Sequence, residues 1–330
     1  HPISFMYIYL NYSPNILQIN IMSSNKKKID FIVITGSTAT GKTKVAVDIA
    51  KKFGGEIISA DSRQIYRGMD IGTGKDISEY ETEDTIIPYH LIDILDPEQN
   101  YSVYQFQRDF LSAYDKVKKK SKIPILCGGT GLYIESILLK YKLQNAPPPN
   151  VSLRSSLESL PKENLLDLLK KVSKKDIKDY KIDTKNRIIR NIEVELNNPK
   201  NNFDIFDNRN LNKFIVIGMK IDRDKNRLLI KKRLNERLDN GLIEEVEKLL
   251  KEGLSVSRLN YFGLEYKFVG LYLEKEINKD QLREQLYIAI CQFAKRQDSW
   301  FRRMAKKGVK IHWISPERKE EINKLIEDAI

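Results

Sequence analysis

The stretch Phe31-Ile32-Val33-Ile34-Thr35-Gly36-Ser37-Thr38-Ala39-Thr40-Gly41-Lys42-Thr43 decides the fold class. Its first five residues are apolar and largely β-branched, the pattern of a strand buried on both faces. Residues 36–43 then match GxxxxGK[ST] in full. Beyond them Val45, Ala46, Ile49, Ala50 and Phe53 recur at helical spacing, and Gly54-Gly55 closes the run. Strand, glycine loop and helix in that order are the setting in which such a loop binds phosphate. Glycines let the backbone wrap an anion, the helix N-terminus presents free N–H groups, and Lys42 adds a mobile positive charge. Gly36, Ser37, Thr38, Ala39, Thr40, Gly41, Lys42 and Thr43 are therefore candidates for holding a di- or triphosphate, with the Thr43 hydroxyl a candidate Mg²⁺ ligand. An ordinary tight turn is the alternative, and the motif does not specify ATP.

Working outward, Glu56–Ala60 reads as a second strand, ending at Asp61-Ser62-Arg63-Gln64-Ile65-Tyr66. In an open parallel sheet the carboxyl ends of strands line the ligand crevice, so Asp61 is expected near the phosphate loop. There it could accept a proton or hold Mg²⁺ through water; a helix cap or turn acid is the alternative. Gly68 to Lys75 carries three glycines, which predicts a loop whose backbone approaches something closely. Lys75 is read either as a phosphate contact or as a surface lysine, and His90 as a satisfied structural histidine. Ile123–Cys127 is a third strand leading into Gly128-Gly129-Thr130-Gly131, where Thr130 is a phosphate contact or a helix cap. Phe214–Met219 is a fourth.

This pattern predicts an α/β chain: a P-loop NTPase-like core whose parallel sheet is flanked by helices, interrupted by an inserted all-helical subdomain. The insert is expected at 144–205. Ala146-Pro147-Pro148-Pro149-Asn150 punctuates its start, leucines at helical spacing run through it, and Lys162–Arg190 holds ten basic residues against five acidic ones. The core is then residues 29–143 and 206–330. Asp222–Leu238 reads as an arginine-rich helix in which Arg227 and Arg233 border a charged site or are merely solvated. Gln281–Lys307 reads as a long helix carrying Lys295 and Arg296. Residues 1–28 are expected to be a loose tail, with Met22 a more natural start than His1.

The whole chain of 330 residues is 41% hydrophobic and 31% charged, enough for a real core and a soluble surface. An excess of 57 basic over 45 acidic residues, a net charge of +12, points either to a polyanionic partner, nucleic acid or membrane surface, or to a lysine-rich solvated surface, and composition alone does not choose between them. Two cysteines exclude a disulfide scaffold and a four-cysteine zinc site. No run reaches membrane-spanning length, so a cytoplasmic protein without membrane attachment is expected.

Several blocks together resemble the bacterial type of tRNA dimethylallyltransferase, also called tRNA isopentenyltransferase: GSTATGKT at 36–43, SADSRQIYRGMDIGTGK at 59–75, HLIDI at 90–94, GGTGLYI at 128–134, NRIIRNIEV at 186–194, FGLEYKFVGLYL at 262–273 and AKRQDSWFRR at 294–303. The resemblance implies transfer of the dimethylallyl group of dimethylallyl diphosphate to N6 of adenosine 37 in tRNAs reading codons that start with U, releasing diphosphate without consuming ATP. It implies that Gly41, Lys42 and Thr43 hold diphosphate and Mg²⁺, that Asp61 is the general base, and that Thr130 and Arg233 steady the leaving diphosphate. It implies substrate or tRNA contacts from Ser62, Arg63, Gln64, Ile65, Tyr66, Lys75, Gly129, Arg227, Lys295, Arg296 and Gln297, and an insert that grips the tRNA anticodon stem-loop. A monomer is expected. Gly74-Lys75-Asp76 departs from the alanine and lysine-proline of many relatives, and a C-terminal zinc finger is absent. The rival readings are a P-loop kinase of a nucleotide or small metabolite and a non-catalytic RNA-binding protein.

Overall fold

The computed structural model describes residues 29–143, 150–173, 175–197, 205–207 and 209–330. Six strands form one parallel sheet: β1 (Phe31–Thr35), β2 (Gly55–Ser59), β3 (Tyr89–His90), β4 (Ile123–Gly128), β5 (Phe214–Met219) and β6 (Ile311–Ile314), in the order β3-β2-β4-β1-β5-β6. The expected parallel sheet is there, with the four expected strands adjacent at its centre. The register pairs Val33 with both Leu126 and Val216. Every residue of β1 is buried, because helices cover both faces and continuous apolar strands are what such a sheet requires.

Successive residues of β1 feed two cores. Phe31 and Val33 join the larger one, beneath α2 (Val103–Lys119), α3 (Gly131–Leu138), α7 (Arg223–Asp239), α8 (Leu242–Lys251), α9 (Val256–Phe262), α10 (Leu264–Leu273) and α11 (Lys279–Lys306). Ile32 and Ile34 join the smaller one, beneath α1 (Lys42–Phe53) and α12 (Lys319–Glu327). Gly41, at φ 74°, opens α1 and Gly54, at φ 70°, closes it.

Between α3 and β5 the chain leaves the sheet as α4 (Val151–Glu158), α5 (Lys162–Val172) and α6 (Lys185–Asn197). These helices have their own core of Leu157, Leu165, Leu169, Ile188, Ile189 and Ile192, each worth about 1.5–3 kcal/mol when fully buried. Glu193 is buried among them. Its carboxylate accepts Arg154 Nε and Nη2, both at 2.7 Å, Arg190 Nη1 at 2.9 Å and the Asn150 N–H at 3.0 Å. Burial pushes its pKa up, but these donors outweigh burial and hold it below the usual glutamate range. The start assigned to the insert, residue 144, and the expected N-terminal tail, residues 1–28, lie outside the described residues; the insert's assigned end, residue 205, falls in the turn at 205–207. Two edge strands, β3 and β6, were not expected from the sequence. They are two and four residues long, too short for periodicity to mark.

Candidate active site

The strand order gathers the site. Three loops leave the carboxyl edge from the adjacent strands β2, β4 and β1, which brings Asp61, Thr130 and the phosphate loop side by side with Thr130 in the middle. The Thr130 N–H donates to Ala60 O at 3.1 Å, and its hydroxyl accepts the Ser62 N–H at 3.0 Å. Although Thr130 stands at the N-cap of α3, its side chain makes no cap hydrogen bond. The hydroxyl instead ties the loop after β4 to the loop after β2.

Asp61 accepts the Arg63 N–H at 2.8 Å through Oδ1. No ion pair to Asp61 occurs among the described residues, so its carboxylate is held by one backbone donor and stays available. Opposite it, the phosphate loop is rich in unneutralised positive charge. Lys42 Nζ donates to Ser37 O at 2.6 Å. Burial, reinforced by the Arg233 guanidinium, lowers its pKa to about 8. Arg233, on α7, donates to the Thr38 hydroxyl, and burial with the nearby Arg237 lowers its pKa to about 10. Two cations pushed toward neutrality mark a place that gains from an arriving anion.

Of the two arginines in question on α7, Arg233 reaches the loop. Arg227 is exposed and lies 3.7 Å from Asp224. Asn226, missed in the sequence, donates to Thr38 O at 3.1 Å. Gln297 is buried, and both ends of its amide are engaged: Oε1 accepts the Thr38 N–H at 2.8 Å and Nε2 donates to Gly129 O at 2.9 Å. Gln297 and Gly129 thus fasten the roof of the site. Lys295 and Arg296 stand on the exposed side of α11, Arg296 over the Phe293 ring.

Four expected contacts point elsewhere. Lys75 is buried with its ammonium on Tyr66 O at 2.8 Å, on Asp70 at 2.7 Å and on Asp93. It is neither a phosphate contact nor a surface lysine, because its donors are used within its own loop. Ile65 and Tyr66 are fully enclosed in the larger core, which removes them from the substrate contacts. Gln64 reaches back to Gly74 O at 3.0 Å.

Two acids were missed. Glu79, on the 3₁₀ turn Ile77–Tyr80, lies beside Thr43, and Asp298, next to Gln297 in the chain, lies beside Ser37. Burial raises both above the ordinary carboxylate range. Nothing in the spacing around Glu79 signals its position; Asp298 had a signal, its place beside the glutamine of a recognisable block. The Thr43 hydroxyl with a carboxylate beside it is an all-oxygen donor set, which suits Mg²⁺. No group of three His, Cys, Asp or Glu able to hold a metal occurs among the described residues.

A family profile described as IPP transferase matches residues 64–304, and one described as Isopentenyl transferase matches residues 29–89. The chain belongs to the tRNA dimethylallyltransferase family. Among relatives of that name, tRNA dimethylallyltransferase 1 of Azobacteroides pseudotrichonymphae is 46% identical over 312 residues, covering 91% of this chain and 97% of its own. Among solved structures, the tRNA isopentenylpyrophosphate transferase of Bacillus halodurans superposes with a TM-score of 0.63 at 29% identity, over 92% of this chain and 97% of that one. A eukaryotic dimethylallyltransferase acting on tRNA shares the fold, with a TM-score of 0.67 at 20% identity over 86% and 73% of the two chains. As a member of the tRNA dimethylallyltransferase family the chain is an enzyme of the prenyltransferase class. No helix among the described residues is long and apolar enough to cross a membrane.

Proposed function

We propose that this enzyme transfers the dimethylallyl group of dimethylallyl diphosphate to N6 of adenosine 37 in tRNAs that read codons beginning with U. The observation that carries this reading is the pairing of charges across the carboxyl edge: among the described residues, Asp61 forms no ion pair, and Lys42 and Arg233 at the phosphate loop nearby have no carboxylate bound to them in one. One side suits a proton acceptor, the other a leaving anion.

The chemistry follows from those two halves. The allylic C1–O bond breaks, and its electron pair leaves on the diphosphate. Lys42, Arg233 and the N–H groups at the start of α1 stabilise the growing negative charge. The N6–C1 bond forms, and Asp61 accepts the proton that N6 loses, which the poorly nucleophilic adenine amine requires. Thr130 keeps Asp61 and the loop in register through Ser62. Magnesium, held by Thr43 with Glu79 beside it, supplies further charge neutralisation of the diphosphate when bound. The base must leave its stack to reach Asp61, at small cost in a single-stranded loop. Exposed lysines on the insert, among them Lys162, Lys170, Lys171 and Lys178, support its reading as the part that holds the anticodon stem-loop. The polyanionic partner and the two free cysteines support a cytoplasmic setting, and a monomer suffices for this chemistry.

The test is nucleoside mass analysis of tRNA incubated with the protein, dimethylallyl diphosphate and Mg²⁺, without ATP. Adenosine heavier by one dimethylallyl group at position 37 is expected. Asp61→Ala should lower transfer by about a hundredfold or more while tRNA binding stays within a fewfold. Transfer that survives this substitution would remove Asp61 from the role of base.

A further inference from the structure

Two residues beyond Asp61 stands an arginine whose side chain makes no hydrogen bond among the described residues. The Arg63 guanidinium lies with its Cζ over the Tyr261 ring, 4.8 Å from the centroid. A second arginine, Arg258, lies 4.2 Å from the same centroid, and the two are used differently. Arg258 donates to Pro97 O at 3.1 Å, Asn100 Oδ1 at 2.7 Å and Gln99 O at 2.5 Å, so it is a bolt between helix α9 and the loop after β3. Arg63 is half-buried and keeps its five donors.

The pedestal under it is stiff. The Tyr261 hydroxyl accepts that of Tyr66 at 3.2 Å, and the Tyr66 ring meets Phe262 edge-on at 5.0 Å. A guanidinium held over a fixed ring has fewer orientations open to its donors, so less entropy is lost when it meets an acceptor. The backbone of the same residue donates to Asp61, so the direction of the acid and the anchor of the arginine are set by one residue. Arg63 and Asp61 nevertheless form no ion pair, which leaves an acceptor and a forked donor side by side and separate.

Adenine presents that complement. Its amine donates, and each of the two ring nitrogens flanking the amine, N1 and N7, accepts. We infer that Arg63 is a specificity residue for the base: its guanidinium donates to a ring nitrogen beside the amine whose proton Asp61 accepts, so that acid and arginine together select adenine. Guanine would present an oxygen to the Asp61 carboxylate in place of the amine. This rests on the reading of Asp61 as the proton acceptor.

The experiment uses the full chain and an anticodon stem-loop RNA carrying adenosine, 1-deazaadenosine or 7-deazaadenosine at the target position, with kcat and KM measured for each. In the wild type, one deaza analogue should lower kcat/KM about tenfold, the loss of a good base contact. Arg63→Met should show the same loss with adenosine and no further loss with that analogue. Arg63→Lys, which keeps charge but not the planar fork, should fall between and serves if the methionine variant does not fold. Full activity of Arg63→Met, a wild type indifferent to both analogues, or a variant that is slower yet still penalised by the analogue as wild type is, would overturn the inference and leave Arg63 a phosphate or packing contact. A wild type that fails to prenylate the natural stem-loop would instead overturn the activity on which it rests.

Discussion

Two glycine-rich loops, each ending in or next to a lysine, leave this sheet, and they are opposites. Residues 36–43 border the carboxyl edge of the sheet, and no carboxylate among the described residues forms an ion pair with Lys42, whose ammonium rests on Ser37 O. At residues 68–75 the backbone N–H groups and the lysine are already satisfied from within. Glu245, on α8, accepts the N–H groups of Asp70 at 2.8 Å, Ile71 at 2.7 Å and Gly72 at 3.0 Å, and the Tyr266 hydroxyl at 2.7 Å. Lys75 is enclosed by Asp70, Asp93 and Tyr66 O. A Cβ on Gly72 would stand 2.5 Å from the Tyr266 ring, so glycine is needed there for close packing and not for a ligand. The first loop awaits an anion; the second carries its own. Glycine and lysine spacing cannot separate the two cases, because the deciding carboxylate comes from a helix about 175 positions later.

The contrast can be broken or sharpened by substitution. Lys42→Met should have the largest effect, lowering kcat/KM for transfer by about a hundredfold to a thousandfold. Its thermal unfolding should be unchanged or higher, since a buried cation without a carboxylate partner is removed. Glu245→Gln should do the reverse: one acceptor is lost and an NH₂ is set against backbone donors, destabilising by about 2–3 kcal/mol in denaturant unfolding. Lys75→Met should cost about 1.5–2 kcal/mol, less because Asp70 and Asp93 are partly exposed and recover water. A Lys75→Met protein that loses transfer while keeping its unfolding midpoint would make the second loop a ligand site and end the contrast. The smallest effect is expected from inorganic diphosphate with Mg²⁺. At about ten times its Kd it should stabilise wild type and Lys75→Met by ~1.4 kcal/mol, read as a raised Tm, and leave Lys42→Met unmoved.

The same contrast marks how far the sequence could be read. The central strands β1, β2, β4 and β5 and the helix after the phosphate loop were legible because their apolar runs and glycine boundaries are local signals. Asp61 and Thr130 were legible as residues at the tips of such strands. Read from the residues alone, Arg233 was one of several helix arginines; the family resemblance singled it out, and α7 sets it against Thr38. Ile65 and Tyr66 were read as contacts from their nearness to Asp61 along the chain, which says little about direction, and Lys75 from its glycine-rich loop, which does not show that Asp70 and Asp93 enclose its ammonium. The side chains of Ile65 and Tyr66 turn into the core, whereas the Arg63 guanidinium turns onto the Tyr261 ring. Glu79 was invisible, since its role depends on a short turn packing beside the first residues of α1.

The Gln297 amide clamps together two segments that emerge from the ribosome long before it does. Thr38 and Gly129 belong to the first half of the chain, yet the N–H of one and the carbonyl of the other meet their partner only when α11 is nearly complete. A nascent or truncated polypeptide therefore has a cradle without its keystone.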